Sequence, residues 1–118
     1  MPSPTATGRA AEALAADFLA AHGHEILAQN WRNRWCELDL ISRNRHGVHI
    51  IEVKYRRTTD FGLPAEYVRH DKIGRLNRAA AAWCQAHNYT GSCQIDIISI
   101  SGPLDQPIIE LIENALGF

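Results

Sequence analysis

No apolar run in the 118 residues approaches the roughly 20 that a membrane-spanning helix needs. A transmembrane helix is therefore not expected. The opening residues, Met1-Pro2-Ser3-Pro4-Thr5, lack a basic segment leading into an apolar one, so a secretory leader is not expected either. Cysteine is scarce: Cys36, Cys84 and Cys93 are an odd number with no CxxC spacing. That argues against a disulfide framework and a zinc ribbon, and fits a reducing cytoplasm. The six histidines contain no HxxxH or HExxH pair, which leaves a histidine-rich zinc site with little support.

What is present has the balance of a globular domain. Hydrophobic residues make up 46% and charged residues 21%, so wholesale disorder is excluded and a real core is affordable at this length. Residues 1–7, with Pro2 and Pro4, read as a flexible tail, and residues 8–118 as a single domain. The net charge of −1 conceals an asymmetry. From Asn30 to Ala80 there are eleven Lys and Arg against six Asp and Glu, whereas the remainder holds one basic residue, Arg9, against seven acids. A central surplus of positive charge suits a surface directed at an anionic partner.

Gly8 to His22 predicts an amphipathic helix, with Ala11, Leu14, Ala15, Phe18 and Leu19 at helical spacing and Gly23 as its stop. His24–Trp31 is a weakly patterned strand, Glu37–Ile41 a better one, and Val48–Tyr55 the strongest, rich in β-branched residues. Arg56–Pro64 reads as loop. A second helix is expected from Asp71, as N-cap, to about Asn88, with Ile73, Leu76, Ala80, Trp83, Cys84 and His87 on its apolar face. Cys93–Ile100 and Ile108–Ile112 read as further strands. This order predicts an α/β or α+β sheet flanked by helices.

The two best strands carry Glu37, Asp39, Glu52 and Lys54. A tight turn within Asn44–Gly47 pairs residues whose numbers sum to 91, which sets Asp39 opposite Glu52 and Glu37 opposite Lys54, with Cβ atoms about 5 Å apart. Facing carboxylates repel unless a cation lies between them. Mg²⁺ takes one or two protein carboxylates and completes its octahedron with water and phosphate oxygens. A lysine beside such a pair would stabilise charge on a phosphate or orient the attacking water, as phosphodiester hydrolysis requires. The same four residues also admit a plainer reading, a solvated hairpin with a Glu37–Lys54 ion pair.

Gly8-x-x-x-Glu12-x-x-Ala15, Ile26-Leu27-x-x-Asn30-x-Arg32, Glu37-Leu38-Asp39-Leu40-Ile41 and Glu52-Val53-Lys54 with Arg56 occur in this order. The chain in this respect resembles the YraN-type family of small bacterial proteins, related to archaeal Holliday-junction resolvases and to PD-(D/E)xK nucleases. The resemblance implies a restriction-endonuclease-like core, a mixed β-sheet flanked by helices, with Mg²⁺ or Mn²⁺ as cofactor. It implies Asp39 and Glu52 as metal ligands, the Val53 carbonyl and Glu12 as further ligands, and Lys54 as the cation facing phosphate or water. It also matches Lys72 to a lysine of the family pattern. One departure is Cys36, where the family usually has glycine.

Arg32, Arg34, Arg56, Arg57, Lys72 and Arg75 are candidate phosphate contacts, which would give affinity largely independent of base sequence. Trp31 and Trp35 would either stack on bases or belong to the core, and Trp83 belongs to the core. The expected function is a metal-dependent endonuclease acting on DNA, in branched or damaged structures, in the cytoplasm and without a membrane partner. A homodimer is compatible with this, since cutting two strands calls for two sites. The alternative is a nucleic-acid-binding module with the same fold and no chemistry.

Overall fold

The longest β-branched runs occupy the middle of the sheet. The computed structural model describes residues 6–34, 36–57 and 70–115, without the side chains of residues 6, 7 and 70–73. Its elements are α1 (Ala6–Ala21), β1 (Glu25–Arg32), β2 (Glu37–Asn44), β3 (Gly47–Arg56), α2 (His70–Ala86), β4 (Cys93–Ser101) and β5 (Ile108–Ile112). The five strands lie in the order β1-β2-β3-β4-β5, with β3 and β4 parallel and every other neighbour antiparallel. A parallel pair needs a crossover, and α2 supplies it. The expected mixed α/β sheet with flanking helices is what forms.

Ile50 and Ile51 are adjacent in β3 and so face opposite sides of the sheet. Ile50 joins a buried cluster with Ile41, Val48 and Ile95 and with Leu76, Ala79, Ala80 and Trp83 of α2. Ile51 joins another, with Leu40, Ile98 and Ile100 and with Ala11, Ala15 and Leu19 of α1. The helices therefore cover opposite faces. Each fully buried Leu or Ile contributes about 1.5–3 kcal/mol relative to exposure. Trp31 packs on the α2-side cluster and Trp83 is buried within it, so both are core aromatics, while Trp35 lies outside the described residues.

Two glycines meet specific backbone demands. Gly23 has φ +89° and follows α1, where the amides of His22 and His24 both bond the Leu19 carbonyl, an arrangement that needs a left-handed residue. Gly47 has φ +129°, and a Cβ there would sit 2.5 Å from the Ser92 carbonyl oxygen. The missing side chain lets the start of β3 lie against the approach to β4, where the Val48 amide donates to Ser92 at 2.9 Å.

The element boundaries differ from expectation at the helix ends. Helix α1 begins at Ala6, inside the stretch read as tail, and residues 1–5 lie outside the described residues. Helix α2 begins at His70, which puts Asp71 within its first turn rather than at its cap. His87 falls just beyond the helix and is exposed. Its ring stacks on Trp83 at 4.4 Å, and its Nδ1–H donates to the Trp83 carbonyl at 2.9 Å. The Ile73 side chain and most of the loop read at Arg56–Pro64 lie outside the described residues.

A polar network sits on the α1 side of the sheet, and the scattered histidine spacings did not reveal it. His49 Nδ1 lies 2.6 Å from Asp96 Oδ2, and His49 Nε2 lies 3.0 Å from Asn44 Oδ1. The other Asp96 oxygen accepts from Gln94 Nε2 and from the Asn114 amide, each at 2.8 Å. His24 hydrogen-bonds Ser42 Oγ through Nδ1 at 2.8 Å and meets the His49 ring edge-on at 4.8 Å. Asp96 is fully buried, and a buried carboxylate is tolerable only with partners of this kind. His46 and His49, three apart, do not act as a pair: His49 is buried in the network and His46 is exposed in the turn.

Burial, then the neighbouring His49, holds the His24 pKa below the usual histidine value of 6.5, against a smaller opposite pull from Asp96 and Glu113. For a base lowered on folding, the unfolded chain binds more protons as pH falls through its own pKa near 6.5. The stability is thus present above about pH 6.5 and lost as pH drops below it. Urea unfolding between pH 7.5 and 5 is predicted to give a shallower acid slope for His24→Gln than for the native chain. The difference is at most about 1.4 kcal/mol per pH unit, the limit for one proton.

Candidate active site at the parting of two strands

The β2–β3 ladder runs from Asn44↔Gly47 to Leu40↔Ile51, in the register that the turn arithmetic predicts. The next pair in that register is Asp39 and Glu52, and there the ladder stops. Strand β2 continues against β1 as far as Arg32↔Glu37, while β3 continues against β4 as far as Arg56↔Ser101. The two acids therefore mark the point where neighbouring strands separate. Asp39 Oδ2 accepts the Val53 N–H at 3.0 Å, so a carboxylate takes over where the main-chain ladder ends.

The alternation of faces is also interrupted here. Leu38 belongs to the α2-side cluster and Leu40 to the α1-side cluster, although they are two residues apart. In the β1–β2 register Asp39 lies across from Asn30, which adopts φ +54° within β1. Asparagine tolerates that left-handed conformation better than most residues. It turns the end of β1 so that Trp31, like Ala28, packs on the α2 side.

Beside this parting lies an open cavity of about 500 Å³ walled by Arg32, Asn33, Cys36, Glu37, Asp39, Glu52, Arg75 and Leu76. Glu52 is only 7% exposed. Lys54 Nζ stands 3.7 Å from Glu52 Oε1, and Arg32 stands 3.5 Å from Glu37. Glu37 thus pairs with Arg32 rather than with Lys54, because strand divergence leaves Lys54 nearer to its own strand's Glu52. Asn33 and Cys36 close a small turn on the cavity wall. The Asn33 amide bonds the Cys36 carbonyl at 2.9 Å, and the Cys36 amide bonds Asn33 Oδ1 at 2.8 Å. Cys36 is not among the positive-φ residues, so its backbone is one that any residue can adopt. Its Sγ–H adds a bond to Asn33 Oδ1 at 3.2 Å.

The other expected site residues are placed less closely together. Glu12 is half-buried on α1, which packs on the opposite face, and it is not part of this cavity wall. Among the described residues no three His, Cys, Asp or Glu side chains gather as a ready-made cation cage. Arg34 is exposed. Arg56 is half-buried at the end of β3, and Arg57 lines a separate cavity with Tyr55, Gly102, Pro103 and Leu104. Lys72 lies in the first turn of α2, with its side chain outside the described residues. Among the described residues, Arg32 and Arg75 are the basic ones that share the cavity with Asp39 and Glu52.

Two hard oxygen donors on the wall of an open cavity suit a cation such as Mg²⁺, which keeps several waters and needs few carboxylates. The Val53–Asp39 bond fixes one of those donors. Asp39→Ala is predicted to lower unfolding free energy by about 1–3 kcal/mol, the cost of an unsatisfied amide. Asp39→Asn keeps an acceptor oxygen and is expected to lose less than half of that, as read from urea denaturation midpoints.

The sequence profile of the family described as Uncharacterised protein family UPF0102 matches residues 11–100. The UPF0102 protein of Frankia casuarinae is 39% identical over 117 residues, covering 98% of this chain and 99% of that one. That of Nocardia farcinica is 40% identical over 107 residues, covering 89% and 84%. That of Leifsonia xyli subsp. xyli is 38% identical over 94 residues, covering 79% and 80%. With Asp39, Glu52 and Lys54 all inside the matched segment, the chain belongs to the UPF0102 family, the YraN-type family that its motifs resemble.

Proposed function

We propose that this protein is a metal-dependent endonuclease that hydrolyses phosphodiester bonds in DNA. The observation that carries the reading is the shared cavity that Asp39 and Glu52 both line at the end of the β2–β3 ladder, with Arg32 and Arg75 on the same wall. The order of motifs resembling PD-(D/E)xK nucleases supports it.

Asp39 and Glu52 would hold Mg²⁺ or Mn²⁺; the resemblance adds the Val53 carbonyl and Glu12, of which Glu12 lies off the wall that Asp39 and Glu52 share. The bound ion would supply Lewis acidity toward a phosphate oxygen and a lowered pKa for water. The chain's own residues do the rest. The Val53 amide fixes the Asp39 carboxylate. Lys54, ion-paired with Glu52, places a cation where charge accumulates on the scissile phosphate or where the attacking water must be oriented. Arg32 and Arg75 engage neighbouring phosphates, which positions the strand without selecting bases.

Cleavage of linear, flapped and four-way DNA in Mg²⁺ or Mn²⁺ tests the reading. Native protein is expected to cut in a divalent-dependent manner. Glu52→Gln is expected to lower the rate by about two orders of magnitude or more, several kcal/mol of transition-state stabilisation. Equal rates for the two proteins would overturn the site assignment. Salt-sensitive DNA binding, with no cutting and no heat of divalent binding in calorimetry, would favour the alternative of a binding module with the same fold.

A further inference from the structure

We propose that Cys84 and Cys93 form a reversible dithiol–disulfide pair that staples the end of α2 to the start of β4, with a small-molecule disulfide such as glutathione disulfide as oxidant. Cys84 lies in the last turn of α2 and Cys93 is the first residue of β4. Both are free thiols, Cys84 half-buried and Cys93 exposed. Together with Asn77, Ala80, Ala81 and Ile95 they line one cavity of about 190 Å³. The intervening chain is folded back on itself: the Tyr89 amide donates to the Cys84 carbonyl at 2.8 Å, and the Tyr89 hydroxyl donates to the Ser92 carbonyl at 2.6 Å. The third cysteine, Cys36, lines a different cavity and serves as an internal control.

The chemistry has a definite order. Loss of hydration, and then the adjoining Cys84, push the Cys93 thiol up to about 12, which slows its own attack on an outside disulfide. The Cys84 thiolate attacks one sulfur of glutathione disulfide, forming a mixed disulfide and releasing one glutathione thiolate. Cys93 then gives up its proton and attacks Cys84 Sγ, releasing the second glutathione. Two protein thiols are oxidised to one disulfide and one glutathione disulfide is reduced to two glutathione molecules. The bond would tie the covering helix to a central strand, while Arg75 and Leu76, on the same helix, stay on the wall of the candidate active site.

The test equilibrates the full chain with glutathione disulfide, quenches it in acid, alkylates the remaining thiols and maps them by mass spectrometry. The expected product has lost two hydrogen masses, yields linked peptides containing Cys84 and Cys93, and retains an alkylatable Cys36. It is also expected to melt at a higher temperature than the reduced chain. In Cys93→Ser, Cys84 is expected to stop at a stable glutathione adduct. The proposal is overturned if Cys84 and Cys93 both remain alkylatable, if each ends as its own glutathione adduct, or if the cross-links join separate chains.

Discussion

A single hydrogen bond organises the centre of this molecule: the Asp39 carboxylate accepting the Val53 amide. Main-chain pairing between β2 and β3 ends one step before it, and a strand leaving its neighbour must find other partners for its amides. Using a carboxylate for that purpose has a consequence beyond stability. It brings an acid from one strand to the point where the next strand carries Glu52 and, two residues on, Lys54. The wedge between the parting strands becomes an open, polar cavity rather than a continuous sheet face.

The rest of the fold distributes its polar groups around that opening. On the α1 side, Asp96 and His49 are buried in a closed set of hydrogen bonds with Asn44, Gln94 and Asn114. Those hydrogen bonds tie together β2, β3, β4 and the turn after β5. On the α2 side, the acids near the ends of the ladders reach an open cavity and have arginine and lysine as neighbours. The same residue types thus serve cohesion on one face and exposure to a ligand on the other. What separates the two roles is whether the surrounding strands are paired or parting.

Much of this was legible in the residues alone, because local rules were enough for it. The turn at Arg45-His46 determines the β2–β3 register by counting, and the ladder keeps that register as far as Leu40↔Ile51, one step short of Asp39 and Glu52. Ile108–Ile112 is a strand with the boundaries that its apolar pattern indicates. Where long-range packing decides, reading failed. The Glu37–Lys54 pairing assumed that the ladder continues, whereas divergence hands Glu37 to Arg32 and Lys54 to Glu52. Asp96, a lone acid in Ile95-Asp96-Ile97-Ile98, was a readable sign of a buried partner. Its distance in sequence from His49 concealed the pairing. Cys84 and Cys93 have no motif spacing, and only the fold of the connection between α2 and β4 brings them to one cavity. Glu12 followed from resemblance alone, and its helix covers the opposite face.

The most direct test of the carboxylate pair as a cation site is anomalous diffraction from crystals of this protein equilibrated with Mn²⁺, at the manganese edge. The account predicts an anomalous peak at coordination distance from carboxylate oxygens of both Asp39 and Glu52. Saturating Mn²⁺ with no peak between those two side chains, or with the ion bound only elsewhere on the surface, would contradict it.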